Sequence, residues 1–249
     1  MRRLIFKRIA RLTLAAGVFS FFMFSSPNPS IGKKTMPVAV AKTNASKSSG
    51  VLYQSLKLDS LGLSREAFKY AISGMEKLEE AGKLSNADLI TIVDFSLPSS
   101  KKRLFVIDLK NGKVLFNTLV SHGRNSGAAV ATEFSNAPES FKSSLGFYIT
   151  GETYKGEHGY SLRLQGEEAG INDNALSRGI VMHSAAYVND KLVRLQGYIG
   201  RSLGCPAIPE KVHKLIIEEI RNGTCLFLYS PDKYYMAHSK MFEQDTTIA

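Results

Sequence analysis

Two side chains in this sequence have the types and surroundings for covalent chemistry. Cys205 sits in Gly200-Arg201-Ser202-Leu203-Gly204-Cys205-Pro206, a loop bounded by glycine and proline. Gly204 permits close approach of the backbone and φ values that aim N–H groups into a pocket, so a thiol here is expected to be partly exposed among amide donors. Cysteine is a good nucleophile, but at neutral pH it needs a base or a lowered pKa to act as the thiolate. His183 is the candidate base, at the end of the apolar run Gly179-Ile180-Val181-Met182, where the last side chain of a strand projects over a site. A strand-end histidine followed some twenty residues later by a Gly-Cys loop fits a Cys/His nucleophilic pair.

Plainer readings stand beside this one. A lone histidine at a strand end is more often structural, and an exported chain with two cysteines often joins them in a disulfide. Cys225 lies in Thr224-Cys225-Leu226-Phe227-Leu228-Tyr229, a strand-like run where a free thiol packs as a small hydrophobe. The two cysteines and five histidines show no zinc-ligand spacing, and no G-x-S-x-G motif supports a serine nucleophile. No cofactor is implied.

The elements that must position the pair follow from the hydrophobic periods. From 51 to about 90 the pattern is helical, with Phe68, Ala71, Ile72, Met75 and Leu78 at spacings of three and four, Ser64 as a lone N-cap and Gly82 as the stop. This reads as a small helical preface over 51–90, one that caps an open sheet edge or the cleft. From about 90 the period becomes two. Arg103–Leu109 and Val114–Val120 flank Asn111-Gly112, a strong hairpin signal. Further strand candidates are 146–150, 160–165, 179–183 and 224–229, interrupted by one helix over 209–221. The expected fold is mainly β with flanking helices, a sandwich or barrel over 91–231 with an N-terminal helical preface. The tail, 232–249, carries no functional signal.

The net charge of +10 on 249 residues belongs almost wholly to the start of the chain. Nine of the 32 Lys/Arg lie in the first 50 residues, where there is no acid, and the rest is nearly balanced against 22 Asp/Glu. A nucleic-acid partner is therefore not indicated. Five basic residues precede an uncharged apolar run from Leu12 to Phe24, too short to span a bilayer as a helix, and then Ser25-Ser26-Pro27-Asn28-Pro29. Residues 1–26 read as a secretory signal or an N-terminal anchor, and 27–50 as a linker rich in Ser, Pro, Lys, Ala and Thr. Export to the periplasm or cell envelope is expected, with membrane contact only through the N-terminal segment.

The stretch from about Arg103 to Tyr229 resembles the L,D-transpeptidase catalytic domain family, in its divergent murein branch. The residues that carry the likeness are His183 and Ser202-Leu203-Gly204-Cys205, together with Gly146-Phe147-Tyr148-Ile149, Val120-Ser121-His122-Gly123-Arg124, Tyr160-Ser161-Leu162-Arg163 and Arg178-Gly179-Ile180. One departure stands out. Most members follow the cysteine with an apolar residue and then Arg or Asn, whereas Pro206-Ala207-Ile208-Pro209 follows here, so that contact is absent or comes from Arg201.

The resemblance implies a β-rich fold acting on peptidoglycan stem peptides by cysteine-dependent acyl transfer. His183 would take the thiol proton and Cys205 would attack the carbonyl of the third stem residue. The backbone N–H groups of Gly204 and Cys205 would hold the oxyanion, while Ser184 orients the base through its backbone. Ser202, Arg201, His122 and Tyr187 are the candidate substrate contacts, His122 being equally a plain strand-end histidine. His183 and Cys205 are 22 positions apart, which makes the loop 185–199 a larger wall of the cleft, with Tyr187 or Tyr198 on it. His158, His213 and His238 read as structural or exposed. Two alternatives stay open: a hydrolase, such as an L,D-carboxypeptidase, using the same pair, and a non-catalytic wall-binding module with an inert or disulfide-bonded cysteine.

Overall fold

Helix α1 (Arg65–Glu80) begins where its sequence can satisfy a free amide, since Ser64 Oγ accepts from Ala67 N at 3.1 Å. The Ser64 amide donates in turn to Asp94 Oδ2 at 3.1 Å, tying the helix start to the sheet. The computed structural model describes residues 49–242, so the expected signal, nearly all of the linker and the end of the tail lie outside the described residues. One face of α1, with Ala67, Phe68, Ala71, Met75 and Leu78, is buried in the main core.

The sheet has eight strands in the order β3-β2-β1-β8-β4-β5-β6-β7. They are β1 (Leu89–Asp94), β2 (Leu104–Asp108), β3 (Lys113–Thr118), β4 (Gly146–Gly156), β5 (Gly159–Gly166), β6 (Val181–Ser184), β7 (Ala207–Ile208) and β8 (Cys225–Tyr229). Pairing is antiparallel except for β1 with β8 and β6 with β7. The β2–β3 hairpin turns at Asn111-Gly112, as its sequence predicts, with Gly112 at φ 59°. Strand β1 is buried at all six positions because it has a neighbour on each side and helix α1 above it. Helix α1 thus lies over the middle of the sheet and shares one core with it. The preface is part of the domain, and the expectation that it covers an edge or the cleft is corrected.

Among the described residues three helices lie after β6, interleaved with the last strands, where one was expected. Helix α2 (Asp190–Gln196) is held by its caps: Asn189 Oδ1 accepts from Leu192 N at 2.9 Å, and Gly197 ends it at φ 84°. Helix α3 (His213–Ile220) buries Ile216, Ile217 and Ile220. Helix α4 (Lys233–His238) docks the first part of the tail through the buried carboxylate of Glu168, which accepts from Phe147 N at 2.9 Å, from the Tyr235 hydroxyl at 3.1 Å and from the Ser239 hydroxyl. Burial pushes the Glu168 carboxyl up from the usual range.

The two ends of the sheet meet near the cysteine loop. Beyond β3 the chain runs alongside 202–207: Ser121 N donates to Ala207 O at 2.8 Å, Ser202 N to His122 O at 3.0 Å and Arg124 N to Ser202 O at 2.8 Å. Below this seam lies Arg103, whose side chain is fully buried without a hydrogen-bonded carboxylate. Its guanidinium donates to Val120 O from Nε and Nη2 (3.2 and 2.9 Å), to Leu97 O (2.9 Å) and to His122 Nδ1 (2.7 Å), over the face of Phe95. Because Arg103 can only donate, His122 accepts at Nδ1 and donates from Nε2 to Gly127 O at 3.2 Å. Its imidazole is therefore neutral. Burial, with the Arg103 charge beside it, pushes its pKa down to about 4.

Two predictions concern stability. A Cβ at Gly74 on α1 would stand 2.1 Å from Phe147 Cζ, and that ring cannot retreat because it stacks on Phe227 at 4.1 Å. Gly74→Ala is expected to lower unfolding free energy by about 1–3 kcal/mol, measured by urea titration. The second follows from His122, whose folded pKa lies below the unfolded value. Its contribution is complete above about pH 6.5 and lost as pH falls toward 4, a loss of ~3 kcal/mol. Urea titrations at pH 7 and pH 4 should show that His122→Gln loses less stability on acidification than the parent chain by that amount. His183, also shifted down, has the same sign in both proteins and cancels.

Candidate functional site

The cysteine loop is folded by its own polar groups. Ser202 Oγ donates to Cys205 O at 2.6 Å and accepts from Gly204 N at 3.1 Å, and Ser143 Oγ donates to Gly204 O at 3.1 Å. Gly204 stands at φ 129°, where a Cβ would meet Ile180 Cδ1 and Lys142 O, each at 2.9 Å. Only glycine makes this bend without strain. These bonds alter one expectation: the Gly204 N–H is taken up inside the loop and does not face a substrate. The Cys205 N–H has no hydrogen-bond acceptor among the described residues, which leaves it as the free amide donor beside the thiol.

Cys205 is half-buried and unpaired, and Cys225 is a fully buried free thiol within β8. The two cysteines form no disulfide, and Cys225 packs in the core cluster. The Cys205 thiol accepts from Val181 N at 3.5 Å and donates to Gly179 O at 3.7 Å. Burial pushes its pKa up, against the pull of the Val181 amide and the Arg178 charge. The resting group is a neutral thiol.

His183 is placed by β6, whose parallel register with β7 sets His183 opposite Ala207 and Ser184 opposite Ile208. Cys205 lies two residues before Ala207, level with Val181, and Val181 and His183 share a face of their strand. The thiol, resting on the Val181 amide, lies beside β6 two residues along from His183, and no hydrogen bond joins thiol and imidazole among the described residues. His183 Nδ1 lies 2.8 Å from Ser184 O. A carbonyl accepts only, so Nδ1 carries the proton and Nε2 keeps its lone pair. Burial lowers the His183 pKa, the bond to Ser184 O opposes this, and His158 lowers it further. The ring of His158 stacks on His183 with centroids 4.2 Å apart.

Arg178 was not singled out as a site residue, and it organises the wall beside the thiol. It donates to Ser135 O, Ser140 Oγ, Lys142 O and Ser144 Oγ at 2.5–3.1 Å, pinning 135–144 against the Cys205 loop. Glu139 and Phe141 in this segment hold positive φ values of 56° and 54°. Arg178 is also the cation whose field favours the Cys205 thiolate. The sequence signal was a basic residue just before the histidine strand and a serine-rich segment whose backbone needed a donor.

The remaining candidates divide by burial. Tyr187 is half-buried over the cleft, packed so tightly on Gly200 that a Cβ there would lie 2.5 Å from its own Cβ. Burial and the nearby Cys205 raise its phenol pKa. Arg201 is exposed at the rim, with Nη1 on Arg124 O and Gly127 O at 3.3 and 3.2 Å. The Ser202 hydroxyl is used within the loop. His122 is fully buried with both ring nitrogens engaged, so the substrate contact expected of it is corrected to a role in the seam beneath the loop. Ser202 and Gly204 shape the loop that carries Cys205, the thiol rests on β6, which ends in His183 and Ser184, and Tyr187 lies near the thiol. Arg201 borders the loop and His122 underlies it.

No curated protein matches the chain. Among solved structures, it is 13% identical to an L,D-transpeptidase from Mycobacterium smegmatis, covering 57% of this chain and 59% of that one with a TM-score of 0.37. It is 14% identical to the helical cell shape determining protein Pgp2 from Campylobacter jejuni (58% and 48% covered, TM-score 0.38). It is also 14% identical to an L,D-transpeptidase from Stackebrandtia nassauensis (68% and 69% covered, TM-score 0.35). The chain thus spans about three-fifths of the first of these proteins. A family model described as the L,D-transpeptidase catalytic domain matches residues 59–229, from before helix α1 to the end of β8. On that match, which takes in most of the chain and every residue of the site, the chain belongs to the L,D-transpeptidase catalytic domain family.

Proposed function

We propose that this chain is an exported cysteine acyltransferase that acts on peptidoglycan stem peptides, with Cys205 as nucleophile and His183 as general base. The observation that carries this reading is the tautomer of His183. With Nδ1–H fixed on Ser184 O, the basic nitrogen Nε2 is the one left to serve the thiol in the neighbouring loop.

In the resting state both groups are neutral, because burial disfavours the charged form of each. The thiol leaves Gly179 O by rotation about χ1 and gives its proton to His183 Nε2. The thiolate sulfur then attacks the carbonyl carbon of the third stem residue, and the negative charge on the carbonyl oxygen is met by the Cys205 N–H. Collapse breaks the amide bond, and the departing terminal D-amino acid takes the proton from His183 as its amine. The thioester is resolved by an amine of a second stem, whose proton His183 accepts and returns to the thiol. Resolution by water gives hydrolysis from the same site. Arg178 supports the developing thiolate, and Tyr187 lines the cleft. The N-terminal basic and apolar segment supplies export or tethering, which puts the domain where its substrate is.

Incubation of the full chain with tetrapeptide-containing muropeptides tests the reaction. Loss of the terminal D-amino acid with dimer formation is expected, while loss without dimers identifies a hydrolase and no change overturns the reading. Cys205→Ala should abolish turnover, and His183→Gln should lower kcat by roughly 10²–10⁴-fold with the fold retained. Gly204→Ala should cost activity by displacing the loop against Ile180 and Lys142. Because burial raises the thiol pKa, alkylation of substrate-free Cys205 by iodoacetamide should be slower at pH 7 than that of an unfolded thiol and should climb with pH beyond the ordinary thiol range.

A further inference from the structure

His158 sits in the two-residue turn of the β4–β5 hairpin, between the closing pair Gly156 and Gly159. Read from the sequence as structural or exposed, it lies exposed at the hairpin tip. Its ring nevertheless lies across the buried imidazole of His183, nearly parallel, with centroids 4.2 Å apart and 20° between planes. Neither ring nitrogen of His158 has a hydrogen-bond partner among the described residues, so its one fixed contact is this stack. His183, for its part, is held at Nδ1 by a single hydrogen bond, which leaves the ring free to tilt about that bond unless a face is covered.

We propose that His158 is a positioning residue for His183: the hairpin tip covers the open face of the candidate base and fixes the plane in which Nε2 lies. This rests on the Cys/His reading above and extends it to a second histidine. A neutral His158 offers a π face to the imidazolium that forms when His183 takes the thiol proton, whereas a cationic His158 at stacking distance opposes it.

The other titratable and charged groups on the elements around His183 are Cys205 in its loop, Tyr187 after β6, Arg163 on β5, opposite Val181, and Glu157 in the turn. Arg163 is turned to Glu152, and His158 is the neighbour that lowers the His183 pKa.

Full-length wild type, His158→Ala and His158→Phe are compared by muropeptide turnover from pH 5 to 9 and by NMR titration of the His183 imidazole. For His158→Ala the expected result is a roughly tenfold lower kcat with KM within twofold, and an acid limb and a His183 midpoint both moved to higher pH. His158→Phe keeps the covering ring without its charge, so kcat should return to near wild type while the midpoint stays above the wild-type value. If His158→Ala keeps the wild-type kcat, acid limb and His183 midpoint, the proposal is wrong. Cys205→Ala separates this from failure of the underlying reading. Should it turn over substrate like wild type, the nucleophile assignment falls, and the His183 midpoint in the two His158 variants alone then decides whether His158 positions the ring.

Discussion

The guanidinium of Arg103 is buried under the seam where the chain after β3 meets the cysteine loop, and the site above depends on how that charge is satisfied. Two backbone carbonyls, a histidine nitrogen and an aromatic face surround it in place of a hydrogen-bonded carboxylate. Burial lowers its pKa to about 9, with Asp94 opposing the shift. The arrangement is demanding, since a lost acceptor leaves a desolvated charge. It also dictates geometry. Val120 O and His122 Nδ1 must both point inward, so residues 120–124 run in register with 202–207 and present His122 O and Ser202 O to the bonds that close the seam.

Once the seam is closed, the cysteine loop has a partner on each side: residues 121–124 on one and β6 on the other. Ser202, Ser143 and the Gly204 bend remove the remaining freedom. Beside a thiol kept neutral by burial, the Cys205 amide is left without an acceptor among the described residues. An amide donor left without an acceptor is useful where an oxyanion is to appear. The same economy holds at His183, where one nitrogen is used to fix the ring and the other is left free.

Much of the frame was legible from local chemistry. Asn111-Gly112 marks the β2–β3 turn, Ser64 caps helix α1, and the apolar run at 224–229 is a buried strand with Cys225 inside it. The elements that escaped did so for physical reasons. Strand β1 is buried on both faces, so Leu-Ile-Thr-Ile-Val-Asp shows no alternation and merges with the helical pattern before it. Helix α2 buries none of its residues and exists by its Asn189 and Gly197 caps, which an apolar period cannot reveal. Helix α4 depends on Glu168, a carboxylate 67 residues from its Tyr235 partner.

By itself the sequence determined that a glycine-bent loop would carry a thiol, that an apolar strand would end in His183, and that the excess charge belongs to the first 50 residues rather than to the domain. Those are properties of short segments, set by glycine's backbone freedom, side-chain alternation and composition. Tertiary structure alone decided which amide beside the thiol stays free, that His122 lies beneath the site, that Arg178 braces its wall, and that His158 lies across His183. Each of these depends on which group meets which across tens of residues. A buried donor chooses its acceptor by proximity in the folded chain, and no local period in the sequence encodes that.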